Sequence, residues 1–215
     1  MKYKAVLFDM DGTVLDTLGD IADAVNHSLE TFGYPRQSED VIRAKLGNGA
    51  RMLMTGCAPE NLSSEAFEEL LNFYNSYYND HSIIRTAPYA GIPELCAELE
   101  AVGCKVAIIS NKPDPTVKGL ADRFFHGMYA VGECPDIRRK PAPDAVLTAL
   151  KEFNIRPDEA VYIGDTEVDV QTARNAGTGC IAVSWGFRSL EQLQDTGVSD
   201  ICATVEELSG KLLTE

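Results

Sequence analysis

The chain has 215 residues, 45% of them hydrophobic and 24% charged, the composition of a folded protein large enough for one catalytic domain and a modest insertion. Its formal net charge of −14 excludes non-specific binding to DNA, RNA or an anionic membrane, because each of these needs clustered Lys and Arg. An anionic compound can still bind, but only at a focused site where a metal ion and a few cations reverse the local field.

The first predicted element is a strand, Tyr3 to Phe8, apolar almost throughout. Its apolar stretch is too short for a signal-peptide core, no later segment reaches membrane-spanning length, and a cytoplasmic protein is expected. The strand runs into Phe8-Asp9-Met10-Asp11-Gly12-Thr13. In a doubly wound sheet, ligands bind beyond the carboxyl ends of the strands. Two carboxylates two residues apart at such an end can converge on one site. Gly12 permits a tight turn there and Thr13 can hydrogen-bond the loop. Alone, the segment also reads as an acidic turn.

From about Asp16 to Arg85 the patterning is helical only. Leu18, Ile21, Ala22, Val25, Leu29 and Phe32 fall at helical spacing and stop at Gly33, with Pro35 beyond. Gly47-Asn48-Gly49 and Arg51 form a predicted loop in which Asn48 offers an amide and Arg51 can meet a carboxylate or second anion; a solvent-facing linker is the equal alternative. Ser64 is the predicted N-cap of a helix carrying Phe67, Leu70, Leu71, Tyr74 and Tyr78 on one face, a stripe that reads as that region's own core.

Beyond Arg85, strands and helices alternate. Helices are predicted near 91–102, 114–124, 142–153 and 167–176. Short apolar runs at Val106–Ile109, Val161–Ile163 and Ile181–Val183, with weaker ones at Met128–Val131 and Ile201–Ala203, read as buried parallel strands. This is the pattern of an α/β fold. The second strand ends in Ser110-Asn111-Lys112-Pro113, whose hydroxyl and amide can donate to phosphate oxygens. Pro141 and Pro143 stiffen the chain beside Lys140 and make it a fixed cation. Gly164-Asp165-Thr166-Glu167-Val168-Asp169 then places two acids four residues apart, on one side of a starting helix. Each feature has an ordinary local explanation (turn, solvated cation, helix-start acid), yet together they bring carboxylates, a hydroxyl and a lysine to one crevice. The six cysteines (57, 96, 104, 134, 180, 202) form no CxxC pair and read as reduced structural thiols. His27, His81 and His126 fall outside every motif, which weighs against a phosphohistidine mechanism.

Taken in order, Asp9-Met10-Asp11-Gly12-Thr13, Ser110-Asn111-Lys112, Lys140-Pro141 and Gly164-Asp165 with Asp169 resemble the motifs of the haloacid-dehalogenase superfamily, in particular its phosphoglycolate-phosphatase-like branch. The resemblance covers essentially the whole chain. It implies a doubly wound parallel sheet, a Rossmann-like core of residues 1–15 and 86–215, and an inserted α-helical cap of residues 16–85. It implies a Mg²⁺-dependent phosphatase acting on a small phosphorylated metabolite, with no nucleic-acid or membrane partner, as a monomer or homodimer. Asp9 is then the nucleophile and Asp11 the acid and base. Gly12, Thr13, Ser110, Asn111 and Lys140 hold the phosphate, with Asn48 and Arg51 as further substrate contacts. The metal ligands are Asp9, the Asp11 backbone carbonyl and Asp165, with Asp169 a ligand through water or a support. A β-phosphoglucomutase-like transferase or a pyrophosphatase of the same superfamily shares these motifs. A phospho-accepting receiver module shares only the chemistry, since it lacks a cap and phosphorylates an Asp on a later strand.

Overall fold

The computed structural model describes residues 2–214, which fall into two compact units, one of residues up to Leu15 with Pro88 onward and one of Asp16–Ala87. In chain order the elements are β1 (Ala5–Asp9), β2 (Leu15–Asp16), α1 (Leu18–Thr31), α2 (Glu39–Ala44), α3 (Gly49–Cys57), α4 (Ser64–His81), β3 (Ala87–Pro88), α5 (Ile92–Ala101), β4 (Lys105–Pro113) and α6 (Asp114–Phe125). There follow β5 (Tyr129–Glu133), α7 (Asp144–Phe153), β6 (Ala160–Gly164), α8 (Glu167–Ala176), β7 (Gly179–Val183), α9 (Leu190–Asp195), β8 (Ile201–Cys202) and α10 (Val205–Leu213). The short strands β2 and β3 pair where the chain leaves and re-enters the larger unit.

The larger unit is built on a six-stranded sheet of order β5-β4-β1-β6-β7-β8, parallel throughout. Each face of β1 packs under helices, which is why its sequence is apolar at consecutive positions instead of alternating. Val6 and Phe8 face one cluster with Leu95 and Leu99 of α5, Val117 and Leu120 of α6, and Leu208 and Leu212 of α10. Ala5 and Leu7 face the other, with Val146, Ala149 and Leu150 of α7 and Ala173 and Ala176 of α8. Fully burying one such aliphatic side chain stabilises the fold by about 1.5–3 kcal/mol. The chain works outward from β1 to β4 and β5, then returns to β6 on the other side of β1. The reversal makes the β1–β6 boundary a switch point, where strand ends leave room for a ligand. The α/β fold and the parallel sheet agree with the sequence reading, and the strands lie within a few residues of the predicted runs.

The smaller unit contains α1 to α4. The N-cap of α4 is Ser63 and not the predicted Ser64: the Ser63 hydroxyl accepts the Ala66 N–H at 3.2 Å, so Ser64 is already helical. Leu70, Leu71, Tyr74 and Tyr78 are buried, whereas Phe67 is only partly so and carries the Arg51 guanidinium 5.7 Å from its ring centre. An unpredicted clasp closes the unit. Asp20, buried in the first turn of α1, accepts the backbone N–H of Arg85 at 2.9 Å and of Thr86 at 2.9 Å. A carboxylate holding backbone donors this way makes the strong, charge-assisted kind of hydrogen bond. Asp20→Ala strands those donors and is expected to destabilise the unit by roughly 2–3 kcal/mol. Thermal denaturation checks this, and an unchanged melting temperature would show that water replaces the clasp at no cost.

Candidate active site

Three adjacent strand ends build the site. Asp9 is the last residue of β1, in register with Ile109 of β4, while the preceding Phe8 pairs with Ile163 of β6. The chain then turns sharply. The Met10 carbonyl accepts the N–H groups of Val14 and Leu15 at 3.1 and 2.9 Å, and Gly12 sits at φ +80°, a conformation open to glycine. Glycine is required there twice over, because a Cβ would lie 2.5 Å from Asp165 Oδ2. Gly186 is constrained in the same way from the far side, with its would-be Cβ 2.3 Å from that oxygen. Asp165 thus occupies space that two glycines leave vacant. The Thr13 hydroxyl donates to Asp165 Oδ1 at 3.0 Å and the Phe187 N–H donates to Asp165 Oδ2 at 2.7 Å.

Lys140 reaches the same point from the segment preceding α7, and its side chain is only 3% exposed. An ammonium group has three N–H donors. Those of Lys140 meet Asp9 Oδ1 at 2.6 Å, Asp169 Oδ1 at 2.7 Å and the Tyr162 hydroxyl at 3.1 Å. Asp169 divides its two oxygens between structure and chemistry. Oδ2 caps α8 by accepting the Thr166 N–H at 3.1 Å and its hydroxyl at 2.7 Å, while Oδ1 faces Lys140. The helix-start reading of this acid therefore describes one oxygen only. Asp165 lies just before the Thr166 N-cap, not in the first helical turn, and converges with Asp169 because Gly164 leaves room for the Asp169 side chain.

Asp9, Asp165 and Asp169 are all buried, and each offers an oxygen within 4.8 Å of the others. Burial, reinforced by the Asp169 charge and opposed by Lys140, pushes the Asp9 carboxyl up to about 7. Burial, then Asp169 and Asp9, likewise hold Asp165 well above the ordinary carboxylate range. For Lys140 burial works against the charge, but the Asp169 and Asp9 carboxylates outweigh it and keep the ammonium protonated. Fully ionised, three buried carboxylates against one buried ammonium would leave excess negative charge in an oxygen-lined place, which is what holds two of the acids up. That donor set and that charge fit a hard divalent cation.

Asp11 lies beside this cluster and is more accessible, at 17% exposure. Its Oδ1 pairs with Lys112 Nζ at 2.8 Å, and the Ser110 hydroxyl lies 3.5 Å from its Oδ2. The buried Asn111 has partners the sequence did not indicate. Its amide nitrogen donates to the Lys140 carbonyl at 3.2 Å and its amide oxygen accepts the Lys140 N–H at 2.7 Å. The side chain predicted to hold phosphate clasps the backbone of the lysine. The predicted loop around Arg51 also differs. Gly47 and Gly49 take positive φ, but α3 begins at Gly49, directly after Asn48, and Arg51 stands in its first turn. There it makes a bidentate pair with Glu68 of α4, at 2.6 and 2.9 Å. Sequence reasoning missed Tyr162, whose signal is a lone hydroxyl within a buried strand. It also missed Gly186 and Phe187, which act through backbone geometry and carry no side-chain signature.

Asp9, Asp11, Gly12, Thr13, Ser110, Lys140, Asp165 and Asp169 all belong to the larger unit, at or near the carboxyl edge of its parallel sheet. A helical insertion after the first strand, with acids at two strand ends and a hydroxyl at a third, is the arrangement of haloacid dehalogenase-like hydrolases. The model of that family matches residues 6–183, and the chain belongs to it. The N-acetylmuramic acid 6-phosphate phosphatase of Pseudomonas aeruginosa is 34% identical over 190 residues, covering 87% of this chain and 84% of the relative. The phosphoglycolate phosphatase of Aquifex aeolicus is 30% identical over 201 residues, covering 91% and 92%. Among solved structures, a presumed phosphoglycolate phosphatase from Lactobacillus delbrueckii subsp. bulgaricus superposes with a TM-score of 0.94, at 38% identity and full coverage of both chains.

Proposed function

We propose that the protein is a Mg²⁺-dependent phosphatase that hydrolyses a small phosphate monoester through a phosphorylated Asp9. The observation that carries this reading is the Asp9 carboxylate, fixed at the end of the central strand by Lys140 and flanked by Asp11 on one side and by Asp165 and Asp169 on the other. In the first step an Asp9 oxygen attacks phosphorus, the bond from phosphorus to the ester oxygen breaks, and Asp11 gives its proton to the departing alkoxide. In the second step Asp11 takes a proton from water, which attacks the acyl-phosphate, frees inorganic phosphate and restores the Asp9 carboxylate. The Ser110 hydroxyl, at the end of β4, holds a phosphate oxygen. Lys140 contributes fixed positive charge and orients Asp9. Asp9, the Asp11 backbone carbonyl and Asp165 would hold Mg²⁺, with Asp169 behind them. The ion when bound neutralises carboxylate and phosphate charge that would otherwise repel.

The helical unit is the inserted cap of this reading. Both curated relatives are named for phosphate esters of acids, glycolate and muramic acid, which supports an anionic small-molecule substrate here. A cytoplasmic setting is supported by six unpaired cysteines; burial pushes the thiols of Cys57, Cys96, Cys104 and Cys180 up to about 11 or 12, which keeps them unreactive. Among the described residues no helix is long and apolar enough to cross a membrane.

The test is a phosphate-release screen over 2-phosphoglycolate, pyrophosphate, nucleoside monophosphates and sugar phosphates. Multiple turnover on at least one ester is expected, with activity silenced by chelation and restored by Mg²⁺. Failure to turn over any of them with Mg²⁺ present would remove the reading.

A further inference from the structure

The site contains a second cation that the mechanism above leaves without a task. Lys112 stands two residues beyond Ser110, at the carboxyl end of β4, and its Nζ is 2.8 Å from Asp11 Oδ1. It differs from Lys140 in a way that matters for ligand contact. Lys140 commits its three donors to Asp9, Asp169 and Tyr162 and is 3% exposed, whereas Lys112 is 12% exposed and pairs with the more accessible carboxylate. Lys140 is closed off; Lys112 is the more accessible of the two cations.

Its distance from the chemistry is fixed by its partner. For Asp11 to hand a proton to the leaving oxygen, its carboxylate must come within about 3 Å of that oxygen. Lys112 Nζ, 2.8 Å from Oδ1 of the same carboxylate, then lies within roughly 6 Å of the leaving oxygen when Oδ1 hands over the proton and within roughly 8 Å when Oδ2 does. A carboxylate on the carbon next to the ester oxygen falls inside that span, so it can meet the ammonium directly. A plain alkyl group in the same place offers the ammonium nothing. We propose that Lys112 reads a carboxylate on the carbon adjacent to the ester oxygen, and so selects phosphate esters of α-hydroxy acids. Lys112 is then a specificity residue of the core. The Arg51 guanidinium is held at both ends of its fork by Glu68.

The proposal rests on the phosphatase reading, and one set of measurements separates the two. kcat and KM are determined for 2-phosphoglycolate and for ethyl phosphate, its counterpart lacking the carboxylate, in wild type, Lys112→Met, Lys112→Arg and Arg51→Ala. Wild type should favour 2-phosphoglycolate in kcat/KM. Lys112→Met should shrink that preference by about 30-fold or more, mainly through KM, since truncating one partner of a desolvated charge pair is costly. Lys112→Arg should recover part of it, and Arg51→Ala should move it less than about threefold. A folded Lys112→Met enzyme that loses activity equally on both esters, or that keeps the wild-type preference, overturns the assignment while the phosphatase reading stands. A larger loss of preference in Arg51→Ala overturns it in favour of Arg51. A wild-type enzyme that turns over neither ester overturns the assignment; silence in the wider screen as well removes the phosphatase reading too.

Discussion

Asp9→Asn should lose at least ~10⁴-fold in turnover on every phosphate ester while keeping the wild-type fold. An amide cannot attack phosphorus, so no covalent intermediate forms and the residual rate is that of positioned water. Structural damage is not expected, because the amide oxygen can still accept from Lys140 in place of the 2.6 Å bond to Asp9 Oδ1. The substitution also takes one charge out of a crowded acid cluster, in which burial and the Asp169 carboxylate already push Asp9 up to about 7. The melting temperature of the metal-free protein should therefore not fall. Turnover above about a hundredth of wild type, in protein whose mass confirms the asparagine, would exclude Asp9 as the nucleophile.

Lys140→Met should be nearly as severe and should damage stability as well. It strands Asp9 and Asp169 without the cation they share, and breaking a buried pair from one side costs about 3–5 kcal/mol. The loss in turnover should be roughly 10²–10³-fold, the usual cost of removing one preorganised electrostatic group. Arginine should not rescue it, because a planar fork does not reproduce three contacts converging on a single nitrogen. Adding Asp169→Asn to Lys140→Met should return part of the stability and none of the activity, since it removes one stranded charge and supplies no cation. Chemical denaturation and phosphate release measure the two effects separately. A single variant as stable and as active as wild type would reduce Lys140 to a bystander.

The fold was legible wherever one residue type meets one requirement. Val6, Leu7 and Phe8 are consecutive apolar residues because β1 is covered on both faces, and Asp9 ends the run because the strand ends there. Most of the candidate site was legible for the same reason: Asp9, Asp11, Lys140, Asp165 and Asp169 are charges placed where local structure alone does not need them all. Partnerships were less legible. Asn111 and Ser110 look alike as donors after a strand, and only the register of β4 against the Lys140 segment shows that the amide spans both backbone atoms of Lys140. Arg51 looked available because its partner Glu68 comes from a different helix. Tyr162 was read as one more apolar strand residue, since its ring belongs to the core and only its hydroxyl reaches the site.

The order of strands also bears on how the protein comes into being. β1 is central, yet its neighbours arrive late: residue 5 pairs with residue 105 on one side and with residue 160 on the other. During synthesis Asp9 emerges long before Lys140 and Asp165, and the helical unit is complete before either of those is made. Contacts so distant along the chain form slowly, after the local ones. Any nascent or truncated chain ending before residue 160 therefore lacks a neighbour of β1 together with Asp165 and Asp169. Asp9 therefore lacks Lys140, Asp165 and Asp169 until the chain has been made through residue 169.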